Sequence, residues 1–376
     1  MGNDEMMTEY YIWLQFVLGA GNSRALKILD HFKNAQNVYN SDISELKLSG
    51  LFTEKELERV KSVKLGTAHS VIRKCEKSGI EIFCIDDTEY PMCLRSISNP
   101  PLAIFVKGNM PNFDDTPSVC IVGPRSVSGY GKRAAFSLSS RLSRAGMIIV
   151  SGGALGCDTY VHTGALKYGG ITVAVLGCGI NYNYLPDNAK LREQICNKGC
   201  LISEYPPDAP SRSYNFPVRN RIMSALSLGT VVVEAGSKSG ALITAAHANE
   251  QGRDVFVIPG LPGDPHYIGS NALLRDGARP LLDTSDIFNE YIPRFPDKIN
   301  IENAFRKQDK KINKKIINSG LSKTAQIVYN QLDKQKFYPD ELIDDKISAG
   351  DLISALTELE IEGIIRAVPG GMYELV

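Results

Sequence analysis

A short segment between residues 216 and 221 combines aromatic, amide and guanidinium side chains without an acid. Phe216 offers a flat apolar face on which a nucleic-acid base can stack. Arg219 and Arg221 offer planar donors that match the oxygens of a phosphate group. Asn220 can hydrogen-bond a base or hold a loop. This segment therefore predicts contact with the phosphates and bases of a nucleotide or a nucleic acid.

Glycine-containing turns elsewhere in the chain could add backbone N–H donors to those side chains. Ser239-Gly240 opens a stretch of small residues with helical character, and Ser151-Gly152-Gly153 follows an apolar run. Gly123 stands two residues before Arg125, a third candidate donor for phosphate. Amides exposed at helix N-termini and in such turns bind phosphate without a cofactor motif. Turns and side chains together indicate a platform for a nucleotide or a nucleic acid.

An alternative role exists for the two arginines of the 216–221 segment. Arg219 and Arg221 could form ion pairs with Glu204 or Glu234. Because both arginines flank an aromatic residue at a strand–helix boundary, the sequence favours ligand contact over these ion pairs.

Fingerprints of common cofactor and enzyme sites fail in this chain. Leu176-Gly177-Cys178-Gly179 follows a strand, but Tyr182 occupies the third glycine position of a dinucleotide fingerprint. Neither a Gly-Lys-Ser/Thr loop nor a Gly-x-Ser-x-Gly elbow occurs. Asp158 is interpreted as an acid that orients the loop 151–153, and His162 as a satisfied surface histidine. The sequence predicts a protein that is not an enzyme and has no cofactor and no metal.

Composition limits the kind of nucleic-acid site that the chain can carry. Its 376 residues include 42 basic and 42 acidic ones, so the net charge is zero and a binding site must be local. No apolar run approaches the roughly 20 residues that span a membrane, and the N-terminus lacks a signal-peptide pattern. The eight cysteines contain no Cys-x-x-Cys pair. These features predict a cytoplasmic protein with no membrane contact.

The central part of the chain must position these residues, because its short apolar runs alternate with helical stretches. Such alternation predicts an α/β fold, an extended Rossmann-like, doubly wound and mostly parallel sheet over residues 71–290. Ligands of such sheets bind beyond the carboxyl ends of the strands, where the glycines fall. The predicted central strands are Val119–Gly123, Met147–Ser151, Ile171–Leu176, Cys200–Glu204, Val231–Glu234 and Val255–Ile258.

Three further segments flank this sheet. Residues 1–70 predict an N-terminal helical domain whose Leu18-Gly19-Ala20-Gly21 turn is similar to a helix-hairpin-helix. Because this glycine pattern alone is a weak signal, the sequence favours an ordinary helix–helix corner for the turn. Residues 291–322 predict a basic linker, and residues 323–376 a C-terminal winged-helix-like domain. Between Asp333 and Glu374 ten acids face four bases, a net charge of about −6 that favours protein contact over DNA contact.

Ordered motifs between residues 118 and 278 resemble the DprA/Smf family of DNA-processing proteins. The motifs are Val122-Gly123-Pro124-Arg125, Ser151 through Asp158, Ala174 through Gly179, Ser203 through Pro206, Phe216 through Ile222, and Ser239 through Gly260. The resemblance implies a single-stranded DNA-binding protein that forms a homodimer, protects incoming strands and helps load the RecA recombinase during natural transformation. It assigns the DNA site to Gly123, Arg125, Ser151, Gly152, Gly153, Phe216, Arg219, Asn220, Arg221, Ser239 and Gly240.

The alternative function is a nucleotide-binding hydrolase of the phosphoribohydrolase-like Rossmann fold. Such enzymes resemble this chain in fold but carry a Pro-Gly-Gly-x-Gly-Thr loop followed by a glutamate. Here Glu234-Ala235-Gly236-Ser237-Lys238-Ser239-Gly240 takes that place and lacks the Thr-x-x-Glu. The sequence therefore favours binding over hydrolysis.

Overall fold

The chain forms two compact units, Met1–Phe305 and Arg306–Val376, in a computed structural model. The structure describes residues 7–306, 321–332, 336–342, 347–361, 364–368 and 370–375. The larger unit holds both the predicted helical domain and the predicted Rossmann-like domain. One continuous hydrophobic core joins them, from Trp13 and Leu14 to Ile104 and Val175, so the boundary near residue 70 does not separate two cores.

Six helices begin the larger unit, and the first of them is buried on several sides. The helices are α1 Thr8–Leu18, α2 Ala25–Phe32, α3 Ala35–Asn40, α4 Ile43–Leu48, α5 Glu54–Ser62 and α6 Leu65–Ser78. A capping box formed by Thr53 and Glu56 starts α5 and satisfies its first amides. The turn Leu18–Gly21 joins α1 to α2, with positive φ values at Gly19 and Gly21.

The amide of Gly21 donates to a carboxylate oxygen of Glu204 at 3.2 Å. This hydrogen-bond donor is therefore used inside the chain. An ordinary helix–helix corner describes the turn better than a helix-hairpin-helix that bares its amides to DNA.

A nine-stranded sheet crosses the larger unit in the order β1-β2-β6-β5-β4-β3-β7-β8-β9. The strands are β1 Glu81–Cys84, β2 Ala103–Gly108, β3 Ser118–Val122, β4 Ile148–Ser151, β5 Thr172–Leu176, β6 Cys200–Ser203, β7 Gly229–Val232, β8 Asp254–Val257 and β9 Arg279–Pro280. Seven strands, from β6 to β9 in this order, pair in parallel, and β2 joins β6 antiparallel. The predicted α/β fold with a mostly parallel sheet is confirmed.

Seven helices connect the strands as a doubly wound sheet requires, and an eighth, α14, follows the last strand of this sheet. They are α7 Met92–Arg95, α8 Gly129–Arg144, α9 Cys157–Leu166, α10 Ala189–Lys198, α11 Asn215–Ala225, α12 Gly240–Glu250, α13 Ile268–Arg275 and α14 Ser285–Tyr291. The five central strands β3 to β7 are buried along their whole length, which explains their apolar sequences. Within the described part of the chain, no helix is both long and apolar enough to cross a membrane.

The first part of the predicted linker is folded and belongs to the larger unit, which extends to Phe305. Helix α15, Ile301–Phe305, packs against α8, and Ile299 and Ala304 join the core on that side of the sheet. The amide of Asn300 donates to the carbonyl of Ala145 at 2.9 Å. The sequence predicted a linker because of the lysines that follow this segment, although the segment itself contains apolar residues. Those lysines, within residues 307–315, lie outside the described residues.

Among its described residues, the smaller unit consists of two helices, a 3₁₀ turn and a three-stranded sheet. Its elements are α16 Lys323–Gln331, β10 Lys336–Phe337, the 3₁₀ turn Pro339–Leu342, α17 Ala349–Ile361, β11 Ile365–Val368 and β12 Met372–Leu375. The strands form an antiparallel sheet in the order β10-β12-β11. Helix α17 contains no basic residue and exposes Asp351, Ile353 and Glu360. The winged-helix-like assignment stays a prediction.

His162 is buried, and its interpretation as a surface histidine was wrong. Helix α9 packs against both α8 and the sheet, and the His162 side chain has no solvent exposure. Its Nδ1 atom lies 2.8 Å from the Thr172 hydroxyl, and Nε2 has no hydrogen-bond partner among the described residues. Burial, with a smaller contribution from nearby Arg219, lowers the pKa of His162 to about 3.

Stability should therefore fall on acidification through His162. Between pH 6.5 and about 3 the unfolded chain binds a proton that the folded chain excludes, so His162 contributes fully above pH 6.5 and progressively less below it. At pH 5 this loss amounts to about 2 kcal/mol. Urea unfolding of the wild type and of His162→Gln at pH 7 and pH 5 checks it.

Lowering the pH from 7 to 5 should reduce the free energy of unfolding of the wild type by more than it reduces that of His162→Gln. The same substitution at exposed His31 controls for the loss of a histidine as such. A difference that does not change with pH would contradict a neutral buried His162.

Candidate nucleic-acid interface

A pocket of about 610 Å³ lies at the carboxyl ends of β3 and β7. These strands are neighbours in the sheet although they are far apart in sequence, because the strand order reverses between them. Such a switch point is the usual ligand site of an open α/β sheet. Seven residues that the sequence assigned to the DNA site line this pocket: Gly123, Arg125, Phe216, Arg219, Asn220, Ser239 and Gly240.

Arg125 and Phe216 form one wall of the pocket. The Arg125 guanidinium lies 5.3 Å from the centre of the Phe216 ring and donates to the Tyr184 hydroxyl at 3.2 Å. The Tyr184 ring itself lies 5.4 Å from that of Phe216. Gly177 allows the ring to lie close to the backbone, since a Cβ there would come within 2.9 Å of it. This wall therefore presents an exposed cation on a half-buried aromatic ring.

The start of α12 forms the opposite wall. Ser239 is its N-cap and accepts a hydrogen bond from the amide of Ala241 at 3.3 Å. Lys238 directly precedes this cap and is exposed. A helix N-terminus with an adjacent ammonium group attracts anions through the helix dipole and through the lysine charge. Both walls of the pocket thus carry positive charge.

Arg219 lies at the base of the pocket and its guanidinium is committed to the protein backbone. It donates to the carbonyl of Gly152 at 2.7 Å and to that of Val175, and its Nε atom donates to the Asn220 side chain at 3.2 Å. Asn220 in turn donates to the carbonyl of Gly240 at 3.3 Å. Arg219 and Asn220 are both buried. Their hydrogen bonds join the two walls through the sheet ends.

Asp158 is the buried acid beside this base. Its carboxylate accepts the amide of Ala154 at 3.1 Å, which supports the interpretation that it orients the loop before α9. Burial raises the pKa of Asp158, while the nearby Arg219 charge and the loop hydrogen bonds act in the opposite direction.

The structure places the four remaining predicted residues away from the pocket lining. Ser151 is buried and donates its hydroxyl to the carbonyl of Ile121. Gly152 and Gly153 lie beneath the pocket, where a Cβ on Gly152 would meet Asp158 and Arg219 within 2.7 Å. They shape the base of the pocket in this conformation and do not line it.

Arg221 forms an ion pair inside the protein instead of the ligand contact that the sequence favoured. Its Nη2 atom lies 2.7 Å from Glu204, and both side chains are 2% exposed. The Nε and Nη1 atoms donate to the carbonyls of Asn99 and Val218. All three nitrogens of the guanidinium therefore have partners inside the protein. The ion pair that the sequence left as an alternative is the observed one.

Sequence reasoning missed Lys238 and Tyr184 as neighbours of the site. Lys238 carried a local signal, since it stands directly before the Ser239 helix cap, but the arginine-rich segment drew the assignment of charge. Tyr184 reaches the pocket wall from the loop after β5, and no local pattern marks that approach. Among the described residues no group of His, Cys, Asp and Glu side chains could hold a metal ion.

Comparison with known proteins shows which protein family this chain matches. The family model of DNA recombination-mediator protein A matches residues 81–292. The chain is 38% identical over 220 residues to the DNA processing protein DprA of Bacillus subtilis, an alignment that covers 58% of this chain and 74% of that protein.

Two solved structures are similar to this one. DprA of Streptococcus pneumoniae matches with a TM-score of 0.66 and 33% identity, over 76% of this chain and 98% of that chain. DNA processing protein A of Helicobacter pylori, whose single-stranded DNA binding mode has been described, matches with a TM-score of 0.52 and 27% identity, over 57% and 96%. The family model spans the sheet and the pocket alike, and on this match the chain belongs to the DNA recombination-mediator protein A family.

Proposed function

We propose that this chain binds single-stranded DNA in the pocket between β3 and β7. The observation that carries the proposal is the pair of cationic walls around Phe216, with Arg125 on one side and Lys238 at the start of α12 on the other. Cations that follow a backbone beside an aromatic ring are the usual means of holding a single strand. Single-stranded DNA binding by the Helicobacter pylori relative supports the proposal.

A single strand fits this pocket better than a duplex does. Phe216 is half-buried, so only an unpaired base that has left its stack can reach its ring. The chain has no net charge and therefore no general attraction to the duplex backbone. Phosphates would bind at the amides before α12 together with Lys238, and at Arg125.

We further propose that the protein forms a homodimer, acts in the cytoplasm, protects incoming strands and helps load RecA during natural transformation. These roles follow from the family resemblance. Exposed Leu261, Ile268 and Leu282, in the segments beside edge strand β9, support contact with another protein surface. The smaller unit adds protein contact rather than DNA contact, since its helix α17 exposes acids and an isoleucine.

Hydrolysis of a nucleotide is less well supported than binding. The buried acids beside the pocket are Asp158 and Glu234, and each holds a loop. Asp158 accepts the Ala154 amide, and Glu234 accepts from the backbone and hydroxyl of Ser128 and from Tyr267. A carboxylate occupied by such hydrogen bonds is poorly placed to activate water. We therefore propose a binding protein without catalysis.

Single-stranded DNA should bind well ahead of a blunt duplex of equal length and without a base code. The affinity should fall steeply with salt, since log K for single strands drops by roughly 0.7 per phosphate neutralised. Fluorescence anisotropy with labelled oligonucleotides at several salt concentrations measures both effects. Equal affinity for the duplex would refute the proposal.

Arg125→Ala should affect DNA binding, whereas Arg221→Ala should affect the stability of the fold. Arg125 is exposed in the pocket, so its loss should weaken single-strand binding by about tenfold and leave unfolding unchanged. Arg221 pairs with buried Glu204, so its loss leaves an uncompensated charge and should destabilise the fold by about 3–5 kcal/mol. Anisotropy and urea unfolding separate the two effects.

Arg73→Ala removes an equal charge from the exposed side of α6 and serves as the control for Arg125. A folded Arg221→Ala protein with unchanged stability would show that the ion pair is dispensable. Equal affinities of Arg125→Ala and Arg73→Ala would remove Arg125 from the site.

Phe216→Ala should lose about 1–3 kcal/mol of single-strand binding, because a base loses its stacking partner. Phe216→Tyr keeps the ring and should bind nearly as the wild type does. Phe136→Ala is the matched control, since Phe136 is also half-buried under a cation, Lys167, but lies outside the pocket. Large, equal losses in the Ala and Tyr variants of Phe216 would instead indicate a packing role.

A further inference from the structure

The turn Leu18–Gly21 presses directly on helix α11. A methyl group on Gly21 would lie 2.8 Å from Cγ1 of Val218 and 3.8 Å from Nε of Arg221. Contact at 2.8 Å is closer than carbon atoms tolerate, so only glycine fits against α11 here. The positive φ of Gly21, 72°, adds a second reason for glycine at this position. This close contact therefore fixes the position of the turn relative to the helix.

Glu204, at the carboxyl end of β6, forms hydrogen bonds to both sides of this contact. One of its carboxylate oxygens accepts the Gly21 amide at 3.2 Å and the Arg221 guanidinium at 2.7 Å. Its backbone carbonyl accepts the side chain of Gln15, on α1, at 2.8 Å. A buried carboxylate with a buried guanidinium permits little movement, because separation would leave either charge unpaired. Helices α1 and α11 are thus held to one strand end.

Helix α11 carries the pocket on its other side. Val218 and Arg221 are three residues apart and lie on the side that meets the turn, whereas Phe216, Arg219 and Asn220 line the pocket. Residues that alternate in this way on a helix of 3.6 residues per turn move together when the helix rotates. A change at the turn therefore displaces the pocket side chains without touching a ligand.

We propose that the turn Leu18–Gly21 is a positioning element of the DNA pocket, with Gly21 and Glu204 as positioning residues that fix the rotation of α11. This inference rests on the proposed function of the pocket. The turn would then affect DNA binding through α11 and Glu204, although its Gly21 amide is not available to a phosphate.

Gly21→Ala tests the inference, with Gly50→Ala as its matched control. Gly50 lies in the same group of helices and has a similar positive φ of 67°, but a Cβ there meets nothing within 4 Å. Both variants carry the same backbone strain, and only Gly21→Ala pushes on α11. Anisotropy with a labelled single-stranded oligonucleotide, below the melting range of each protein, should show about fivefold weaker binding for Gly21→Ala than for Gly50→Ala.

Val218→Ala supplies the rescue, because it removes the methyl group that the new Cβ would strike. The effect of Gly21→Ala should be largely lost in the Val218→Ala background, which a merely destabilised fold would not show. If Gly21→Ala does not fold, Val218→Ile enlarges the same contact from the α11 side and should weaken binding similarly.

Equal binding by Gly21→Ala and Gly50→Ala, or an undiminished effect in the Val218→Ala background, would overturn the positioning role. If Val218→Ile replaces Gly21→Ala, wild-type affinity in that variant would overturn it too. Absence of single-strand binding by the wild type would instead refute the proposed function, so the two failures are distinguishable.

Discussion

The ion pair between Glu204 and Arg221 is the constraint on which the arrangement of the larger unit depends. Two opposite charges with 2% exposure are stable only when each keeps the other and the remaining hydrogen-bonding groups are nearly all satisfied. Arg221 meets this condition through the carbonyls of Asn99 and Val218. Glu204 meets it at one oxygen, Oε1, which also accepts the amide of Gly21, while its Oε2 atom has no hydrogen-bond partner among the described residues. The pair therefore fixes helix, strand and N-terminal turn at once.

The sheet sets the second condition for the site. Strands β3 and β7 become neighbours only because the chain crosses over in both directions from β3. Their following segments then diverge to opposite sides and leave a cleft between Gly123 and Gly236. The cleft receives its charge from the flanking loops and its aromatic ring from α11. The course of the backbone after β3 and β7 therefore forms the cleft, and the side chains only determine its charge and its aromatic surface.

Much of this could be predicted from the sequence, because buried parallel strands and glycine turns leave strong local patterns. The six predicted strands, which correspond to β3 to β8, were expected within two residues of their observed ends. The direction in which each of the three candidate arginines points was not predictable, since only the neighbouring parts of the folded chain decide which of them is buried. Arg125 stayed exposed, whereas Arg219 found backbone carbonyls and Arg221 found Glu204. His162 was misjudged for the same reason, as its surroundings come from α8 and β5.

The position of Arg125 over Phe216 has a consequence for how a single strand would enter the pocket under the proposed function. The guanidinium covers the aromatic ring and is held there by Tyr184, so the ring is shielded while the cation faces outward. Under the proposed function, an arriving strand would first meet charge, which acts over several ångströms and does not distinguish bases. A base could stack on the covered face of Phe216 only if the guanidinium moved aside, and a phosphate would give that guanidinium a new partner. Capture of the backbone and access to the ring would then be coupled.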